Sequence, residues 1–139
     1  MNSNPINAYR QTRVTTASQG KLIVMLYDEA IRQIEQAKQL LESDGIAYDR
    51  VNGAIGKAQD IITELTVSLD LENGGEIAQN LFRLYRFFTN QLVEANFKKE
   101  KEPLENVRSF LIQLRDAWKE IADKGAGPDR SSSGVNISS

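Results

Sequence analysis

"KLIVMLYDEAIRQIEQAKQLL", residues 21–41, decides the fold. Ile23, Leu26, Tyr27, Ala30, Ile34, Ala37 and Leu41 recur in it at spacings of three and four, which puts them on one face of a helix. The stretch also opens with an unbroken apolar and aromatic run, Leu22 to Tyr27. That run is far shorter than the roughly 20 residues a bilayer span needs, and Asp28 and Glu29 follow at once. The expectation is a helix apolar on several sides, packed within a water-facing protein. Ser18 stands where an N-cap belongs and Gly45, in "ESDG", supplies a left-handed stop, so the helix is predicted over about residues 19–43.

Three further segments share this periodicity. Over about 47–70, Val51, Ala54, Ile55, Ala58, Ile61, Ile62, Leu65 and Leu69 form one apolar arc. Gly53 and Gly56 interrupt it, each costing about 1 kcal/mol relative to alanine in a helix. They imply either a neighbouring backbone crossing closely or a soft first half. "LENGGE", 71–76, is a turn, since Asn-Gly-Gly suits positive φ and neither helix nor strand. A third helix over about 76–97 carries the stripe Ile77, Leu81, Leu84, Phe88, Leu92 and Ala95. "KKEKE", 98–102, reads as a solvated connection. Pro103 suits the first turn of a fourth helix over about 103–123, with Val107, Phe110, Leu111, Leu114, Trp118 and Ile121 on its core face. Four helices of about 20 residues with connections of about five imply antiparallel neighbours. The predicted fold is all-α, an up-down four-helix bundle. Residues 1–124 are expected to form one domain, with 1–17 an extended N-terminal segment. The Gly, Ser and Pro bias of 125–139 predicts a flexible, disordered tail.

Composition narrows the function. At 139 residues, with 40% hydrophobic and 26% charged side chains, the chain suits one globular core. It has neither cysteine nor histidine. That removes disulfides, thiolate nucleophiles, the commonest zinc ligand and the usual neutral-pH proton shuttle. Asp28 and Glu29 lie about 100° apart on a helix, a poor acid and base pair. "GAIGKA", 53–58, echoes a P-loop or a GXXG clamp, but its glycines are too close, Ala58 replaces the magnesium-binding hydroxyl, and it lies inside a helical pattern. No enzyme, cofactor or metal is expected. A net charge of −2 supplies no field for nucleic acid. "MNSNPINAYRQTR" has no apolar core of signal-peptide length, so a cytoplasmic protein without membrane insertion is expected.

Two helices carry more apolar surface than one stripe needs. Ala78, Phe82, Tyr85 and Val93 make a second stripe on the third, and Val24 and Ile31 stand beside the main face of the first. Either the core is broad or these residues line a groove. Burying a Phe, Leu or Ile is worth roughly 1.5 to 3 kcal/mol, so an exposed set implies a partner, and an amphipathic helix or an extended apolar segment is the natural one. Ile6, Tyr9 and Val14 give the first residues anchors to lie across the bundle.

"AYRQTRVTTAS", "LIVMLYDEAI", "KAQDIITEL", "SLDLENGGEIAQNLFRLYRFFTNQLVEAN" and "LRDAWKEI", in this order and spacing, resemble the flagellar secretion chaperones of the FliS type from Asn7 to about Asp123. Similar proteins have Pro after the cap serine and Gly after "LYD"; Gln19 and Glu29 stand there instead. The resemblance implies a chaperone that binds the C-terminal segment of flagellin, disordered when free and helical as it wraps the bundle. It prevents premature polymerisation, delivers its client to a component of the flagellar type III export gate and consumes no nucleotide. Val24, Ile31, Phe82, Tyr85 and Val93 are the expected flagellin-binding residues, with Ile6 and Tyr9 in an N-terminal cover. Asn80 and Asn96 lie in the most family-like stretch and are either ligand contacts, surface amides or a cap. The alternative is a non-catalytic module that self-associates as a homodimer through the same apolar surface.

Overall fold

The chain folds as α1 (Thr16–Glu42), α2 (Tyr48–Val67), α3 (Gly75–Lys98) and α4 (Lys101–Gly125), in a computed structural model that describes residues 16–125. Of the expected N-terminal extension and C-terminal tail, residues 16–17 and 125 join α1 and α4, and the rest lie outside the described residues. Each helix packs on its chain neighbours and α1 closes the ring against α4, which makes an up-down four-helix bundle. No described helix is long and apolar enough to cross a membrane.

The antiparallel register of α1 and α4 is marked by a ladder of ion pairs: Asp28 with Arg115, Glu35 with Arg108, Lys38 with Glu105 and Glu42 with Lys101. Steps of seven, three and four residues along α1 match equal steps backward along α4. Half-exposed pairs of this kind contribute about 0 to 1 kcal/mol each, so the ladder fixes register more than it adds stability. The stability lies beneath it. Tyr27, Leu26, Ile34, Ile55, Ile62, Leu65, Phe88, Leu92, Leu104 and Leu111 are fully buried.

Helix ends depart from expectation for local reasons. α1 begins at Thr16, so Ser18 lies inside the helix instead of capping it. A proline at position 19 would have pushed Ser18 toward extended backbone, whereas Gln19 lets the helix pass through. "KKEKE" is solvated as expected, but only Lys99 and Glu100 form the connection, because Lys and Glu are good helix formers and the other three residues join α3 or α4. Lys99 ends α3 in the left-handed region at φ 56°, its backbone N–H donating to the Ala95 carbonyl. The Lys99 ammonium donates to Asn96 Oδ1 at 2.9 Å, so Asn96 helps to hold this end.

Gly45 adopts φ +67° and stops α1 as predicted. In the second connection the Asp70 carboxylate accepts from the Asn73 backbone N–H at 3.0 Å, and the Gly74 N–H donates to the Asp70 carbonyl at 2.8 Å. A Cβ at Gly74 would sit 2.5 Å from that carbonyl oxygen, which explains the glycine.

Candidate polypeptide-binding seam

α1 and α3 behave differently although both carry extra apolar side chains. α1 packs extensively on both α2 and α4, so it needs a wide apolar arc. Ile31, expected on a ligand surface, is only 6% exposed, and Val24 is half-buried. Both fall on the α4-facing side of α1, flanked along the helix by Asp28 and Glu35 of the ladder. The broad-core explanation therefore holds for α1, and Ile31 is corrected to a core residue.

α3 packs less extensively than α1 on both its neighbours. Tyr85 and Ala78, expected on its spare stripe, are buried as well. The Tyr85 and Tyr27 hydroxyls share a 2.5 Å hydrogen bond, and the Trp118 side chain lies close to the Tyr27 hydroxyl. This cluster ties α1, α3 and α4 together, and burial pushes the Tyr27 phenol up to about 12. Tyr85 is thus corrected from a ligand contact to a core pin.

The rest of the α3 stripe is open. Val93 is 53% exposed, and the half-buried Phe82 lines a groove of about 290 Å³ with Thr63, Thr66 and Val67 of α2 and Arg86, Thr89 and Asn90 of α3. Val67 is 62% exposed, and Phe97, fifteen residues beyond Phe82 on the same ridge, is 86% exposed. The hydroxyls of Thr66 and Thr89 donate to the carbonyls of Ile62 and Tyr85 in their own helices. The groove is consequently more apolar than its residue types suggest.

Sequence reasoning missed Val67, Arg86 and Phe97. The signal for Arg86 and Phe97 was present, since positions 82, 86, 93 and 97 continue one helical ridge, but the polar Arg86 and the terminal position of Phe97 masked it. Three expected core residues are also more exposed than predicted. Ile77 and Ile121 lie near the start of α3 and the end of α4 and are mostly exposed. Phe110 keeps a partly exposed ring while packing edge-on against Phe87 at 5.9 Å. Asn80 accepts a hydrogen bond from Arg83 as a surface amide. Ile6 and Tyr9 lie outside the described residues.

One seam of the ring is latched by charge and the opposite seam is apolar and open, an arrangement suited to holding a polypeptide. Residues 2–125 match the family model described as flagellar protein FliS. The flagellar secretion chaperone FliS of Bacillus subtilis is 36% identical over 131 residues, covering 94% of this chain and 95% of its own. Its counterparts in Vibrio cholerae and Salmonella typhimurium are each 36% identical, over 84% and 87% of this chain and 87% and 92% of their own lengths. The chain belongs to the FliS family, a family of export chaperones and not of enzymes.

Proposed function

We propose that the α2/α3 seam binds the C-terminal segment of flagellin as a helix, in the cytoplasm. The bound segment is kept from polymerising and is delivered to the flagellar type III export apparatus. The observation that supports this is the apolar ridge of Phe82, Val93 and Phe97 beside Val67, left half to mostly exposed along the α2/α3 seam. Exposed apolar groups at helical spacing along a groove fit the apolar face of an incoming helix. Ordering a disordered segment costs several kcal/mol, which the buried ridge must exceed. Occupancy alone then protects the client, since the same client surface cannot also pack into a filament.

Mixing the purified chain with a flagellin C-terminal peptide tests this. A complex of one chain with one peptide is expected by size-exclusion chromatography with light scattering. Self-association through the same seam instead predicts a homodimer that ignores the peptide.

A further inference from the structure

Arg86 is the one charged residue lining the α2/α3 groove; Thr63, Thr66, Val67, Phe82, Thr89 and Asn90 make up the rest. Among the described residues no carboxylate lies within ion-pair distance of its guanidinium. On the α1/α4 seam, by contrast, Arg108, Arg115 and Lys101 are answered by Glu35, Asp28 and Glu42. A guanidinium beside an apolar wall is weakly hydrated and offers a fixed fork of donors matched to a carboxylate. A ligand helix covering Phe82 and Val67 strips water from that cation, and an unanswered cation opposes docking. The chain's own residues 1–15 include Arg10 and Arg13 but neither Asp nor Glu, so no carboxylate for Arg86 comes from them.

We propose that the occupant of this groove is an amphipathic helix carrying an Asp or Glu that pairs with Arg86, between two apolar anchors that meet Phe82 and Val93. This rests on the α2/α3 seam being the ligand site, as proposed above, and adds the charge that selects the ligand and its register. Arg86 lies four residues after Phe82 and seven before Val93. At about 1.5 Å per residue these are about 6 and 10 Å along the axis. A helix lying alongside matches them with apolar residues about eleven apart and a carboxylate about four from the anchor on Phe82. Sliding the ligand by one turn leaves apolar contacts in place but carries the carboxylate about 5.4 Å away. The ion pair therefore fixes a register that the apolar contacts leave free.

The test is calorimetric titration of the full chain, Arg86→Gln and Arg86→Glu with a flagellin C-terminal peptide, and with variants in which each Asp or Glu of that peptide is changed to its amide in turn. Circular dichroism checks that the exposed substitutions leave the fold intact. Arg86→Gln is expected to weaken binding about tenfold and Arg86→Glu further. One amide peptide should lose the same factor against the unaltered chain and nothing against Arg86→Gln. Placing Lys at that peptide position should restore binding to Arg86→Glu. Equal binding by all three chains, or a loss uncoupled from any peptide carboxylate, overturns the pairing while leaving the seam as the site. An unaltered chain that does not bind the peptide overturns both.

Discussion

Tyr27 shows how a single residue can be legible in its place and illegible in its chemistry. Its position in the periodic face of residues 21–41 marked it as core, and it is fully buried. Nothing in the pattern revealed that its hydroxyl meets Tyr85 and Trp118, because those contacts join helices distant in sequence. The same blindness misplaced Tyr85 and Ile31. Helical spacing says that residues share a face but not whether another helix covers it. Tyr27→Phe should destabilise the bundle by about 1 kcal/mol in chemical denaturation, through loss of the buried hydrogen bond between the Tyr27 and Tyr85 hydroxyls. Burial raises the Tyr27 phenol from 10.0 in the unfolded chain to about 12 in the folded one. The associated stability is whole below pH about 10 and is lost as pH rises toward about 12. Denaturation measured between these limits should show that slope, and Tyr27→Phe should lessen it.

At the scale of elements, the four helices were legible because each carries a long apolar period bounded by Gly, Asn or Pro signals. Their ends were less so. Gln19 in place of proline let α1 start earlier, and a charged run continued into two helices. The two glycines of α2 had left a choice between a crossing backbone and a soft helix. An added Cβ at Gly53 or Gly56 meets nothing within 4 Å, so no backbone of the described chain crosses there. Gly56→Ala should therefore stabilise the bundle by about 1 kcal/mol, read as a raised thermal midpoint. A lowered midpoint would mean that this space is filled by the chain itself. The α1/α4 ladder, in turn, should prove weak. Glu35→Gln is expected to cost under about 1 kcal/mol and to leave peptide binding unchanged, since it lies on the seam opposite the proposed binding seam.

For the whole molecule, the family and the bundle could be read from the residues, and which of the spare apolar residues stay exposed only in part. Val93 lies open and Phe82 half-open, whereas Ile31 and Tyr85 went to the core, because α1 is flanked on both sides by helices while α3 keeps a partly uncovered ridge. Residues 1–14 are expected to compete with the client for this ridge. Their deletion should then tighten peptide binding, by the fraction of time the seam is otherwise covered. Weaker binding after deletion would make them part of the site.

The most direct measurement is calorimetric titration of a flagellin C-terminal peptide into the intact chain and into Phe82→Asp, with far-UV circular dichroism of both. The open seam predicts one-to-one binding by the intact chain and a loss of about thirtyfold or more in the variant, a hot-spot effect of about 2 kcal/mol or greater, with helical content unchanged. Undiminished binding by a folded Phe82→Asp, or collapse of its helical signal, would contradict the account.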